Sequence, residues 1–161
     1  MGVAVFGHWG PPLLAFPTSH GDQWELQRQG LLDAIADFID AGRVKVFCVG
    51  SNNHDSFLNK GAHPFHRSWR QRMFDEYIRH EVVPFVHTRC QTPEIPITTW
   101  GASLGAYHAV NTLLRYPQVR KALEGLAGRI TADAMREMNY AADAEKQNPA
   151  DIARRFVERP H

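Results

Sequence analysis

ITTWGASLGAYHAVNTLLRY, residues Ile97–Tyr116, decides how the rest of the chain is read. A short β-prone run enters Gly101-Ala102-Ser103-Leu104-Gly105, and an amphipathic helical pattern leaves it. That is a G-x-S-x-G pattern between a strand and a helix, the context of a nucleophile elbow. A serine at so sharp a turn needs neighbours two positions away on each side with almost no side chain. Gly101 and Gly105 meet that need. Ser103 is therefore the first candidate for chemistry.

Outward from the elbow the pattern stays that of an α/β protein. Val3–Phe6 and Leu13–Phe16 read as two short strands joined by turn chemistry at Trp9-Gly10-Pro11-Pro12. Between Asp22 and Ala41 the apolar residues Leu31, Leu32, Ile35, Phe38 and Ile39 recur at helical spacing, and Gly42 supplies a stop. Val44–Val49 is apolar except at Lys45, as expected of a strand buried on both faces of a parallel sheet. The loop from Ser51 to Pro64 is longer than most connections, which marks it as functional or mobile. His66–Val83 reads as a helix with Trp69, Met73, Tyr77 and Ile78 as its buried stripe, bent or ended by Pro84. The order β-β-α-β-α-β-α predicts an α/β sandwich with a mainly parallel sheet. The stripes Trp69/Met73/Tyr77 and Leu31/Ile35/Phe38 are expected in the core.

After Pro117 the composition changes. Beyond that point the only aromatic residues are Tyr140 and Phe156, the only histidine is His161, and no strand pattern recurs. Three short helices are expected there. The second opens at an N-cap on Thr131 and the third at Asn148-Pro149, asparagine capping and proline in the first helical position.

The balance of 18 Lys and Arg against 17 Asp and Glu provides no field to recruit nucleic acid or an anionic membrane. No apolar run has the length of a membrane span, and no export signal stands at the start. Cys48 in a strand and Cys90 in a loop have the spacing of neither a metal pair nor a disulfide framework. They read as free thiols, which suits a cytoplasmic location.

Four stretches, Gly7-His8-Trp9-Gly10, Phe16-Pro17-Thr18-Ser19, Glu81–Phe85 and Gly101–Val110, make residues 1 to about 117 resemble the bacterial putative-esterase family of α/β hydrolases. The resemblance implies a truncated core of about four strands, the first antiparallel, with flanking helices. It also implies that the Ser103 strand lies beside the Leu13–Phe16 strand. The family continues with three more strands that carry the acid and the histidine of its triad, and this chain lacks them. Gly128–Tyr140 and Asn148–Val157 instead resemble the C-terminal helical end of glycine-betaine-type substrate-binding proteins, which is scaffold there, so no binding residue carries over. The expected organisation is a partial hydrolase core over 1–117 and a helical appendage over 118–161, a chimera of two sources.

Within that frame the catalytic candidates are Ser103, His20, His54 and Asp55. A serine hydroxyl is a poor nucleophile without a base within hydrogen-bond reach. His20 follows the strand expected beside the Ser103 strand, about 4.8 Å away in a sheet, and shares its C-terminal rim. His54, with Asp55 beside it, follows the next strand out and reaches the rim through its long loop. Oxyanion donors are expected at the Leu104 N–H, just after the nucleophile, and in the loop at Ser19. His8 is expected to shape the loop over this site, and His108, five residues past Ser103, to be a packing or surface residue. His63 and His66 stand three apart, but Pro64 lies between them and no third ligand has a diagnostic spacing, so no metal site and no cofactor are assigned.

The leading expectation is a weakly active serine hydrolase of small carboxylic esters. Two alternatives stand beside it: a catalytically inactive fold that self-associates, and a metal-dependent hydrolase using clustered histidines. A homo-oligomer is expected, through the exposed sheet edge or the tail helices, because a sheet that stops at the Ser103 strand leaves that edge unpaired.

Overall fold

The computed structural model describes residues 1–114 and 131–158. The chain divides into two compact units, Met1–Tyr116 and Pro117–His161.

Four strands form the sheet of the first unit: β1 (Val3–Phe6), β2 (Pro12–Phe16), β3 (Lys45–Val49) and β4 (Thr98–Gly101). Their spatial order is β1-β3-β2-β4. β1 runs antiparallel to β3, with Val3 opposite Val49, while β2 is parallel to both β3 and β4. The elbow strand thus lies beside β2, in register from Leu13 with Thr98 to Phe16 with Gly101. Alternation along each strand sends side chains to opposite faces. Leu14, Phe16, Phe47 and Val49 face one core and Ala15, Val46 and Cys48 the other.

Helices cover both faces. On one side lie α1 (Glu25–Arg28), α2 (Leu31–Ala34) and α3 (Ala36–Asp40), which bury Leu26, Leu32 and Ile39. The single helix predicted over Asp22–Ala41 is therefore broken. Gly30 stands at φ 71, a left-handed turn that ends α1, and Ile35 at φ −119 separates α2 from α3. The break rotates the buried face, so that Leu31 and Phe38, expected in the core, are exposed. Phe38 instead carries the Arg43 guanidinium 4.7 Å above its ring.

On the other face α4 (Pro64–Tyr77) runs through a π turn (Ile78–Val82) into α5 (Val83–Cys90). Pro84, expected to bend or end the helix, does not end it. Proline brings no N–H to the helical ladder, and the wide turn just before it lets the chain continue to Cys90, where Gln91 stops it at φ 54. Cys90 accordingly ends a helix and is not in a loop. The buried stripe is Gln71, Phe74, Ile78, Val82 and Val86; of the predicted residues Ile78 is in it and Tyr77 packs half-buried against it, while Trp69 is exposed. α6 (Leu104–Leu114) leaves the elbow and closes this face through Ala109.

Both cysteines are free thiols; Cys48, 1% exposed, has its pKa pushed up to about 12 by burial. Among the described residues no helix is long and apolar enough to cross a membrane.

In the second unit α7 (Ala132–Asp143) opens at Thr131, whose Oγ1 accepts the Ala134 N–H at 3.1 Å, and α8 (Pro149–Glu158) begins at its proline. Both helix starts lie where the capping residues predict them. The first of the three tail helices expected from the sequence falls outside the described residues.

Candidate active site

The elbow is built from backbone crowding. At the turn from β4 into α6, Ser103 is exposed and adopts φ 55, in the left-handed region that a residue with a Cβ occupies only at a cost. The Gly105 N–H donates to the Ala102 carbonyl at 2.9 Å and the Ala106 N–H to that of Ser103 at 3.1 Å, closing the turn. A Cβ on Gly105 would stand 2.5 Å from the Phe16 carbonyl oxygen, and one on Gly101 would overlap the Gly105 carbonyl. Neither position admits alanine without moving backbone. The two small residues required from sequence have a measurable reason: the start of α6 packs directly on the end of β2.

Ser19 and His20 leave the same end of β2, three and four residues beyond the Phe16–Gly101 pair. The loop that carries them is pinned by Glu25, whose carboxylate accepts the Thr18 N–H at 2.7 Å and the Thr18 hydroxyl at 2.6 Å. His20 and His54 are both exposed, and their rings meet edge to face with centroids 5.5 Å apart. The loops after β2 and β3 thus bring two of the sequence candidates together. Asp55 is engaged elsewhere, since its carboxylate pairs with the Arg70 guanidinium at 2.8 Å. His63 and His66 serve the helix and its surface: His63 Nδ1 caps α4 by accepting the Phe65 N–H at 3.2 Å, and the His66 ring lies 6.0 Å from that of Trp69. Among the described residues no three His, Cys, Asp or Glu side chains stand close enough to hold a metal ion.

Beneath the rim runs a buried polar chain. His108, 1% exposed, sits among Phe16, Phe57 and Phe74, with the Phe74 ring centroid 4.8 Å away. Its Nε2 lies 3.0 Å from Asn53 Oδ1 and its Nδ1 3.4 Å from Gln71 Nε2. Asn53 Nδ2 in turn donates to the Thr18 carbonyl at 3.4 Å. An amide oxygen only accepts and an amide nitrogen only donates, so the network assigns the proton to Nε2 and leaves Nδ1 as acceptor. Burial lowers the His108 pKa to about 4, which keeps the ring neutral. The chain ties α4, the β3 loop and the β2 loop to the helix that presents Ser103.

A family model described as "Putative esterase" matches residues 15–130, most of the chain, from within β2 past the end of α6. The chain belongs to that esterase family. Membership supports a hydrolase of esters, acting on a small-molecule substrate, at the level of the family. A second family model, described as the substrate binding domain of an ABC-type glycine betaine transport system, matches residues 105–159. The two spans overlap over 105–130, and together they are the fusion expected from the sequence. No curated relative and no solved structure is similar enough to match the chain.

One histidine of the esterase core stands elsewhere than the sequence reading put it. His8 follows β1, which is antiparallel, and so lies with Lys45 at the opposite end of the sheet from Ser103, not over the site. His108, expected as a packing or surface residue, is the former, and it is hydrogen-bonded at both ring nitrogens as well. Sequence reasoning also passed over Asn53 and Gln71. The signal was present: Gln71 occupies the apolar stripe of α4 three residues before Phe74, and a polar residue at such a position needs a buried partner.

Proposed function

We propose that the chain is a weakly active serine hydrolase of small carboxylic esters, with Ser103 as the nucleophile. The supporting observation is the backbone of Ser103: an exposed serine held at φ 55 between two glycines that no larger residue can replace. Strain of that kind persists only where the surroundings enforce it, and it clusters at active sites.

In this reading His20 takes the Ser103 hydroxyl proton as Oγ attacks the acyl carbon. The tetrahedral oxyanion is held by the Leu104 N–H at the start of α6 and by the Ser19 N–H. The proton then passes to the leaving alcohol, and water releases the acyl group by the same steps in reverse roles. His54, in ring contact with His20, restricts where that ring can turn. Among the described residues no carboxylate pairs with His20, and a base without one works well below the rate of a full triad, which is the ground for weak activity. We assign the protein to the cytoplasm on its two unpaired thiols.

Hydrolysis of p-nitrophenyl esters tests the assignment. Wild type should turn over above buffer, Ser103→Ala should fall to the buffer rate, and His20→Ala should lose about 100-fold. Wild-type activity no greater than buffer, or full activity in Ser103→Ala, would overturn the reading. Loss of activity on adding a chelator would favour the metal-dependent alternative.

A second reading rests on a different observation. Among the described residues β4 is hydrogen-bonded on one side only, to β2. Such an edge offers free N–H and C=O groups to another strand, and we propose that the chain associates with itself there. Light scattering at micromolar concentration should give a mass above 18.3 kDa; a clean monomer would count against it.

A further inference from the structure

We propose that this esterase carries a second ligand site, for a small organic phosphate, at the end of the sheet opposite Ser103. A cleft of about 600 Å³ opens there between the β1–β2 loop, the start of β3 and the C-terminal end of α5. That volume lies within the range of sites for small molecules. Nothing in the ester-hydrolysing arrangement uses it.

Its charge is one-sided. Lys45, Arg89 and His8 line the cleft, and no Asp or Glu is among its described lining residues. Lys45 is the strongest part of the case. It is 7% exposed, and its ammonium donates to the Arg89 carbonyl at 2.8 Å. An ammonium has three protons to place, and burying it against neutral oxygen leaves much of its desolvation cost standing. An anion in the adjoining space offsets that cost. The carbonyl end of α5 opposes an anion, but Lys45 already engages one of those carbonyls, and Arg89 adds a second full positive charge. Lys45, held on the Arg89 carbonyl, and the exposed Arg89 guanidinium beside it match a phosphate monoester of charge near −2 better than a monocarboxylate.

The organic part of the ligand follows from Trp9. This indole lines the cleft and is 66% exposed, on a loop whose backbone leaves little freedom. Gly7 at φ 90 and Gly10 at φ 106 flank it, and a Cβ on Gly10 would stand 2.6 Å from the Val44 nitrogen. A large, exposed apolar ring carried on a constrained loop beside a cationic cleft is a stacking surface. A mononucleotide has both features, a ring to lie on Trp9 and a phosphate to reach Lys45 and Arg89.

Titration calorimetry on the full chain at constant ionic strength tests this with AMP, inorganic phosphate and adenosine. AMP should bind saturably, phosphate about tenfold more weakly, and adenosine about a hundredfold more weakly. Arg89→Ala, at an exposed position, should weaken AMP and phosphate alike by about tenfold. Trp9→Ala should bring AMP down to the phosphate value and leave phosphate unchanged. Lys45→Met should abolish both; because it alters a buried contact, its thermal melt is recorded, and Arg89→Ala carries the decision if it does not fold. Ser103→Ala should bind AMP as wild type does, since the two sites lie at opposite ends of the sheet. Absence of saturable binding by AMP and phosphate, adenosine binding as tightly as AMP, or unchanged affinities in Arg89→Ala would overturn the proposal.

Discussion

Ser103 and His20 leave the same end of neighbouring strands and are held there in opposite ways. The serine is fixed by backbone: a left-handed φ, two turn hydrogen bonds, and glycines packed on the carbonyls of β2. The histidine is an exposed side chain whose recorded ring contact is another exposed histidine, on a loop fastened beneath it by Glu25 and Asn53. The geometry of the proposed nucleophile is thus a property of the fold itself. The geometry of the proposed base depends on partners that the fold supplies sparingly.

This contrast can be broken first at Gly105. Gly105→Ala puts a methyl group 2.5 Å from the Phe16 carbonyl and should cost at least about 3 kcal/mol in urea unfolding. A cost below about 1 kcal/mol would mean that the turn is softer than its crowding indicates. The buried chain beneath the rim comes next. The His108 pKa falls from 6.5 to about 4 on folding, so the unfolded chain binds a proton in that window that the folded chain refuses. Stability should therefore be full above about pH 6.5 and fall as pH drops toward 4, by about 3 kcal/mol in all. In His108→Gln the decline attributable to this group should vanish.

Ser103→Gly should act in the other direction. Glycine takes φ 55 without a Cβ penalty, so unfolding should become harder by about 1 kcal/mol while ester hydrolysis disappears. A destabilised Ser103→Gly would show that the serine is not strained. The smallest effect belongs to Asp55. Its carboxylate forms a largely exposed pair with Arg70, so Asp55→Asn should change stability by under about 1 kcal/mol and leave the rate of ester hydrolysis within about twofold.

Legibility in the sequence follows the same division. The strands and the elbow could be read because backbone requirements leave marks that hardly depend on distant residues: the unbroken apolar run in Val44–Val49, glycine at 101 and 105, the cap at Thr131 and the proline at 149, while the place of the elbow strand beside β2 came from the family resemblance. Helix faces were read less well. Gly30 falls between the apolar positions of a helical pattern and leaves its spacing intact, yet its left-handed φ ends one helix and turns the next, moving Leu31 and Phe38 out of the core. Trp69 looks like a core residue by size, whereas Gln71, polar, takes the buried place because His108 needs a donor there. The meeting of His20 with His54, and the loss of Asp55 to Arg70, depend on where side chains from separate loops come to rest, and no local spacing encodes that.

Cys48 lies at the middle of the sheet, walled in on both sides, with a thiol that does not ionise until about pH 12. A thiol in that state cannot react while the sheet is intact, whereas Cys90, half-buried at the end of α5, remains within reach of reagents. The protein therefore carries its own clock. The second equivalent of any thiol-specific reagent it consumes is timed by the opening of the strands that place the elbow beside β2.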